Sequence, residues 1–252
     1  MQKNRFYRKN ARESLKGRWL KASLMLMAFL LAYNILNRLA GSLSDRLLSV
    51  ISNQNLRSVL ATGVNWMVVQ PLFAAVFTGV YRMGLEMHRG ANPAFSMLIL
   101  PGKTLIKAMK LMCAMYIRAF GPALLLLLAT AVPMLPLPVR ILILPALLAS
   151  IAWMLLALTN YAMAKHLLLT RPELTVSELL AQSRRHMKGF RWKYAVLILS
   201  ISLWAILPVT AVGYLNSDLA SVAARVLFNG ANYPWSETAS AAFFTDLEGL
   251  KA

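Results

Sequence analysis

Five stretches of about 20 predominantly apolar residues constrain this chain more than anything else in it. A helix rises about 1.5 Å per residue and a bilayer core is about 30 Å thick, so about 20 apolar residues are what one membrane crossing needs. The stretches are residues 19–39, 59–80, 112–132, 141–163 and 194–214. Inside lipid every backbone N–H and C=O must be satisfied within the segment, which leaves helices for runs of this length. The predicted fold is all-α, a polytopic transmembrane helix bundle. Of the 252 residues, 58% are hydrophobic and 14% charged, against about half and about a quarter in soluble domains, so the excess apolar surface is meant for lipid. No linker, low-complexity tract or repeat divides the chain, and residues 1–252 read as one integral membrane domain.

A sixth run, 219–244, is apolar overall but carries Arg225, Asn229, Asn232, Pro234 and Glu237. Asn229, Gly230, Ala231 and Asn232 read as a break. Charge favours a crossing there. Lys and Arg number 27 against 9 Asp and Glu, a net charge of +18. Eight basic residues precede or enter the first run, 5 lie between the second and third, and 7 between the fourth and fifth. Only 5 lie in the intervening loops and the start of the last segment. Basic loops stay on the cytoplasmic side, so the N-terminus is expected in the cytoplasm and an even number of spans follows. This placement between apolar runs also argues against nucleic acid as the partner. The first run has no small-residue cleavage site close behind it and reads as an uncleaved span.

Catalytic signatures are absent: there is no H-E-x-x-H, G-x-S-x-G or P-loop pattern. Cys113 is the only cysteine, which excludes an internal disulfide, and it reads as a small packing residue. His88, His166 and His186 fall in or beside basic loops, and Glu86 with His88 is the only acid–base pair that suggests itself. No cofactor or metal is implied.

Two basic segments stand out. In the N-terminal arm, 1–18, Tyr7, Ala11, Leu15 and Trp19 recur every four residues on one helical face, while Arg5, Arg8, Lys9, Arg12 and Lys16 crowd the rest. Such a helix is built to lie along an anionic leaflet. In the fourth loop, Thr175 and Glu178 have capping-box spacing, Leu174 and Leu179 that of a hydrophobic staple, and Gly189 can end the helix. A cytoplasmic helix over 175–189 is predicted. Its last turn and the mouth of the fifth span carry Arg184, Arg185, Lys188, Arg191 and Lys193, where cations suit the helix dipole. With Arg8 and Arg12 these are the expected contacts for anionic lipid head groups or for an acidic partner.

Within the spans, Arg118 is the one deep charge and Asn160 the most suggestive amide; Asn34, Asn65 and Gln70 are further polar positions. Glu237 is the only carboxylate that could reach Arg118. Pro71, Pro122, Pro145 and Pro208 each remove a backbone donor from a span. Kinked spans with an intramembrane charge also suit a small-solute transporter or channel, the competing reading to a non-enzymatic accessory or scaffold factor.

Several segments resemble a bacterial integral membrane family called domain of unknown function 975. They are residues 11–19 (AREsLKGRW in order), 160–164, 171–175, the Ser183-Arg184-Arg185-His186-Met187-Lys188-Gly189 stretch, Trp192-Lys193, 199–204, Tyr233-Pro234 and the Ala241-Ala242-Phe243-Phe244 end. The resemblance implies a multi-span protein of the bacterial plasma membrane and supplies no activity or functional residues.

Overall fold

Each of the apolar runs is helical in the computed structural model, which describes residues 1–52, 54–130, 137–213 and 218–250. Residues 131 and 132 of the third predicted span, and 214 of the fifth, lie outside the described residues. The order begins with α1 (Asn4–Leu15), α2 (Trp19–Leu48) and α3 (Gln54–Val64), then a π-helical turn (Asn65–Val69), α4 (Gln70–Val76) and α5 (Thr78–His88). It continues with α6 (Phe95–Leu98), α7 (Gly102–Thr130), α8 (Leu137–Asn160) and α9 (Ala164–Thr170). The last three are α10 (Val176–Met187), α11 (Arg191–Gly213) and α12 (Asp218–Gly249).

Among the described residues, five helical runs are long and apolar enough to cross a membrane: Trp19–Leu48, Leu56–His88, Gly102–Leu126, Pro145–Thr170 and Arg191–Gly213. No more than 22% of the apolar window in any of them is buried inside the protein. Side chains such as Leu36, Leu39, Leu125, Leu155, Trp204 and Leu207 point outward. Outward apolar surface on helices of this length suits lipid. At 33 residues, Leu56–His88 is about 50 Å long by the helix rise and overreaches the hydrocarbon core.

Pro71 explains the π turn. Its ring would strike the carbonyl four residues back and it has no N–H to donate. The backbone widens just before it, so that the Gln70 N–H donates to the Asn65 carbonyl five residues earlier. The Gln70 side-chain amide then donates to Asn65 Oδ1 at 3.1 Å.

Helix α12 differs from the expected broken segment. It is continuous through Asn229, Gly230, Ala231 and Asn232, with Pro234 inside it. The reason is tertiary. Gly230 lies against Met27 of α2 so closely that a Cβ there would overlap the methionine, so the glycine serves helix contact instead of a turn. Beyond Pro234, Thr238 donates to the Pro234 carbonyl at 2.6 Å. Its amides and charges keep α12 out of the set apolar enough to cross by composition, yet it packs along α2, α5 and α11.

The largest core gathers at one end. Tyr7 and Ala11 of α1, Leu111 and Met112 of α7, Leu167 and Leu168 of α9, Leu179 and Met187 of α10, and Phe243 and Phe244 of α12 are all buried in it. The capping box forms at the start of α10: Glu178 N–H donates to Thr175 Oγ1 and Thr175 N–H to Glu178 Oε2. Gly189 follows with φ +86° and Gly17, between α1 and α2, has φ +74°. Both are left-handed positions that glycine fills without strain.

Helix α5 meets α12 at Gly84, where a Cβ would stand 2.7 Å from the Glu237 Cβ and 2.8 Å from its carbonyl carbon. Overpacking of this kind costs about 1–3 kcal/mol. Gly84→Ala is therefore expected to lower the thermal midpoint of the purified protein by several degrees. Gly41→Ala, where a Cβ meets nothing within 4 Å, should leave it unchanged or raise it.

Candidate functional site

The seven cations anticipated as binding residues divide between two helix–turn–helix corners. At the first, α1 buries Tyr7, Ala11 and Leu15 against α12. The face expected to enter the leaflet is thus occupied by protein, because Phe243 and Trp235 of α12 offer it aromatic partners. Tyr7 and Phe243 rings stand 5.3 Å apart. Arg12 lies 4.9 Å from the Trp235 ring centroid, and the Trp235 indole N–H donates to the Arg8 carbonyl at 3.4 Å. Most of what α1 shows to the outside is charge, with the exposed Phe6 among it: Arg5, Arg8, Lys9 and Arg12 line a shallow groove of about 380 Å³.

At the second corner, Arg184, Arg185 and Lys188 are exposed on the end of α10, and Arg191 and Lys193 are half-buried at the start of α11. The two corners touch. Asn4 donates its amide to the Lys193 carbonyl at 3.1 Å, and Lys193 Nζ lies 5.9 Å from the Tyr7 ring. Trp192, 80% exposed, projects beside them as an interfacial aromatic.

Arg118 is not drawn inside. Its side chain is exposed, its carbonyl accepts from the Trp153 indole at 2.8 Å, and among the described residues it forms no ion pair with Glu237. An outward arginine lines no path within the bundle. Asn160 is half-buried; its carbonyl accepts from Ser183 at 2.9 Å, and its Oδ1 is buried without a donor among the described residues.

The polar interior is built from other residues. Helix α9 carries the fourth span beyond Met163, so Lys165 and His166, which read as loop residues, lie on a helix within the bundle. Lys165 Nζ donates to Tyr81 Oη at 2.5 Å and stands 4.1 Å from that ring's centroid. The fully buried His166 shares a hydrogen bond of 3.1 Å between Nε2 and Ser240 Oγ. Ser240 Oγ is in turn 3.1 Å from Tyr194 Oη, and the imidazole stacks on Phe244 with centroids 5.2 Å apart. Glu237, 8% exposed, is seated on Gly84 with Oε2 unpartnered among the described residues.

An amine, an imidazole, a carboxylate and several phenols thus share one region. Among the described residues no group of three His, Cys, Asp or Glu side chains could hold a metal ion. The one visible signal for this region was Glu237, a lone carboxylate in an apolar run; nothing in the local sequence paired Tyr81 with Lys165, 84 positions away.

Above Lys165 the helices leave a cavity of about 370 Å³. Leu30, Tyr33, Asn34 and Asn37 of α2 form one wall; Ala74, Phe77 and Tyr81 form another. Tyr116 of α7, and Arg225, Asn229 and Tyr233 of α12, complete it.

Helices of this length and apolarity, with outward leucines and a charged end, define a multi-pass α-helical membrane protein. Within that class the chain belongs to the family described as "Protein of unknown function (DUF975)", which matches residues 1–251. No curated protein and no solved structure matches it.

Tyr7 ties α1 to the end of α12: its hydroxyl donates to Asp246 Oδ2 at 2.5 Å, and the Gln2 N–H donates to the same oxygen at 3.2 Å. A hydrogen bond to a charged group contributes about 1.5–3 kcal/mol. Tyr7→Phe is expected to speed tryptic cleavage after Arg5, Arg8 and Lys9 about tenfold. Burial first, and then Asp246, hold the phenol well above its ordinary value. A raised acid keeps its contribution below the unfolded pKa, about 10 for tyrosine, and loses it as pH rises through the folded one. Protection of α1 from proteolysis should accordingly persist to about pH 10 and fall above it.

Proposed function

We propose that this chain is a non-enzymatic accessory or scaffold protein of the bacterial plasma membrane, spanning it several times with its N-terminus in the cytoplasm. Its basic end grips anionic lipid head groups. The observation that carries this reading is the docking of α1: with Tyr7, Ala11 and Leu15 buried in protein, the helix turns its arginines and lysines outward beside the Arg191 and Lys193 corner. A cationic surface at the end of a lipid-exposed bundle sits at head-group level, where each Lys or Arg near an anionic surface contributes about 1 kcal/mol. Trp192 adds an interfacial anchor.

The expectation for lipid binding is concrete. In mixed micelles of neutral detergent, fluorescent phosphatidylglycerol should bind the full-length protein more tightly than fluorescent phosphatidylcholine. Arg184→Ala combined with Arg185→Ala should weaken phosphatidylglycerol binding about 30-fold at low salt, by the same figure of about 1 kcal/mol per side chain. Raising salt to about 1 M, where the screening length falls to about 3 Å, should erase most of the preference. Equal affinity for the two lipids, or no change in the double variant, would remove lipid recognition from the proposal.

Orientation is tested separately. Reporters fused after residues 56 and 136 should read as external, and one fused after residue 252 as cytoplasmic. An external C-terminus would mean that α12 does not cross and that the protein has five spans.

A further inference from the structure

We propose that the cavity between α2, α5, α7, α9 and α12 binds the phosphate ester of a small polyol, with Lys165 and Arg225 as its cationic contacts. The volume, about 370 Å³, falls in the range of small-molecule sites. Its walls do not suit lipid tails. Two cations and the amides of Asn34, Asn37 and Asn229 face it, and no carboxylate is in its lining.

Neither cation has an ion pair within 4 Å among the described residues. Lys165 has the Tyr81 hydroxyl as its side-chain hydrogen-bond partner, so two of its three ammonium protons are left for something else. Glu237, one helical turn beyond the cavity-lining Tyr233, is near enough to act on Lys165 electrostatically, but it neither lines the cavity nor pairs with Lys165 within 4 Å. Two cations against the one nearby carboxylate leave a positive balance that an anionic ligand would complete. Phosphate suits this pair: an arginine presents a planar fork of donors to its oxygens, and a lysine a compact point charge. Arg225 is exposed and stands at the opening; Lys165 is half-buried within.

The second half of the ligand is read from the amides. Asn37 Oδ1 is buried with no donor among the described residues, and Asn34 has its own amide N–H turned to the Leu30 carbonyl at 2.7 Å. Amide-bearing walls beside the cations favour a ligand that carries hydroxyl groups along with its phosphate. Rings of Tyr33, Phe77 and Tyr116 supply apolar faces for the carbon skeleton. A polyol phosphate of this kind occurs both free and as the head group of a phospholipid, and the cavity chemistry is the same for either.

The test uses calorimetric titration of the full-length protein in a neutral maltoside detergent. The probes are glycerol 3-phosphate, dihexanoyl phosphatidylglycerol, glycerol and dihexanoyl phosphatidylcholine. Saturable binding of one or both phosphate-polyol probes is expected, with glycerol and the choline lipid at least tenfold weaker. Lys165→Met and Arg225→Gln should each lower the affinity at least tenfold. Arg184→Ala with Arg185→Ala should leave it unchanged, which separates this site from the basic surface. Binding of glycerol 3-phosphate assigns a free ester; binding of the lipid probe alone assigns a head group. Should Lys165→Met fail to fold, Arg225→Gln and Asn37→Leu, with the first at the opening, carry the same test. Absence of saturable binding by both phosphate-polyol probes, or binding that the folded cavity variants do not weaken, overturns the proposal.

Discussion

Two close approaches hold α12 in the middle of the molecule, and most of the remaining structure hangs on them. Gly230 lets it touch α2 at Met27, and Gly84 lets α5 touch it at Glu237. Side chains larger than hydrogen would push both neighbours away. With α12 so placed, its final turns, rich in Ala and Phe, become the floor on which α1 lies and against which α9 stacks His166. Small residues and polar hydroxyls at helix contacts are how packing is achieved when lipid removes the hydrophobic drive between helices.

The same arrangement separates two kinds of positive charge. On the outside, Arg8, Arg12, Arg184, Arg185 and Lys188 lie on α1 and at the end of α10, turned away from the interior. On the inside, Lys165 is held directly by an aromatic hydroxyl and ring, with the buried Glu237 carboxylate acting on it from beyond ion-pair distance. The tyrosine face and the carboxylate together compensate part of the ammonium charge.

Sequence pattern proved most informative where the signal is local. Apolar runs of membrane length, the every-fourth-residue face of α1, the Thr175–Glu178 cap and the Gly189 turn are each encoded within a few residues, and their physics is that of a single helix. It misled where small polar residues have two uses. Asn229, Gly230 and Asn232 resemble a turn, and only contact with α2 shows that they sit in an unbroken helix. Met163 seemed the end of a span because Lys165 follows; a lysine inside the bundle was invisible without Tyr81. Arg118, a charge in an apolar run, stands exposed on its helix, as a long side chain reaching for the interface does.

What the sequence determined by itself is the class of object: a chain with five runs able to cross a membrane, a basic N-terminal helix and a capped basic helix before the last clear span. Length, periodicity and charge suffice for that, because membrane insertion and helix capping act over one segment at a time. What only the tertiary structure decided is the interior: which face of α1 is covered, how α12 threads between α2 and α5, and which residues meet around the cavity. Tyr81, Lys165 and Tyr233 come from three distant segments, and apolar residues facing lipid look the same as apolar residues facing a neighbour. Their meeting is a property of packing, and packing between helices leaves no periodic trace in any one of them.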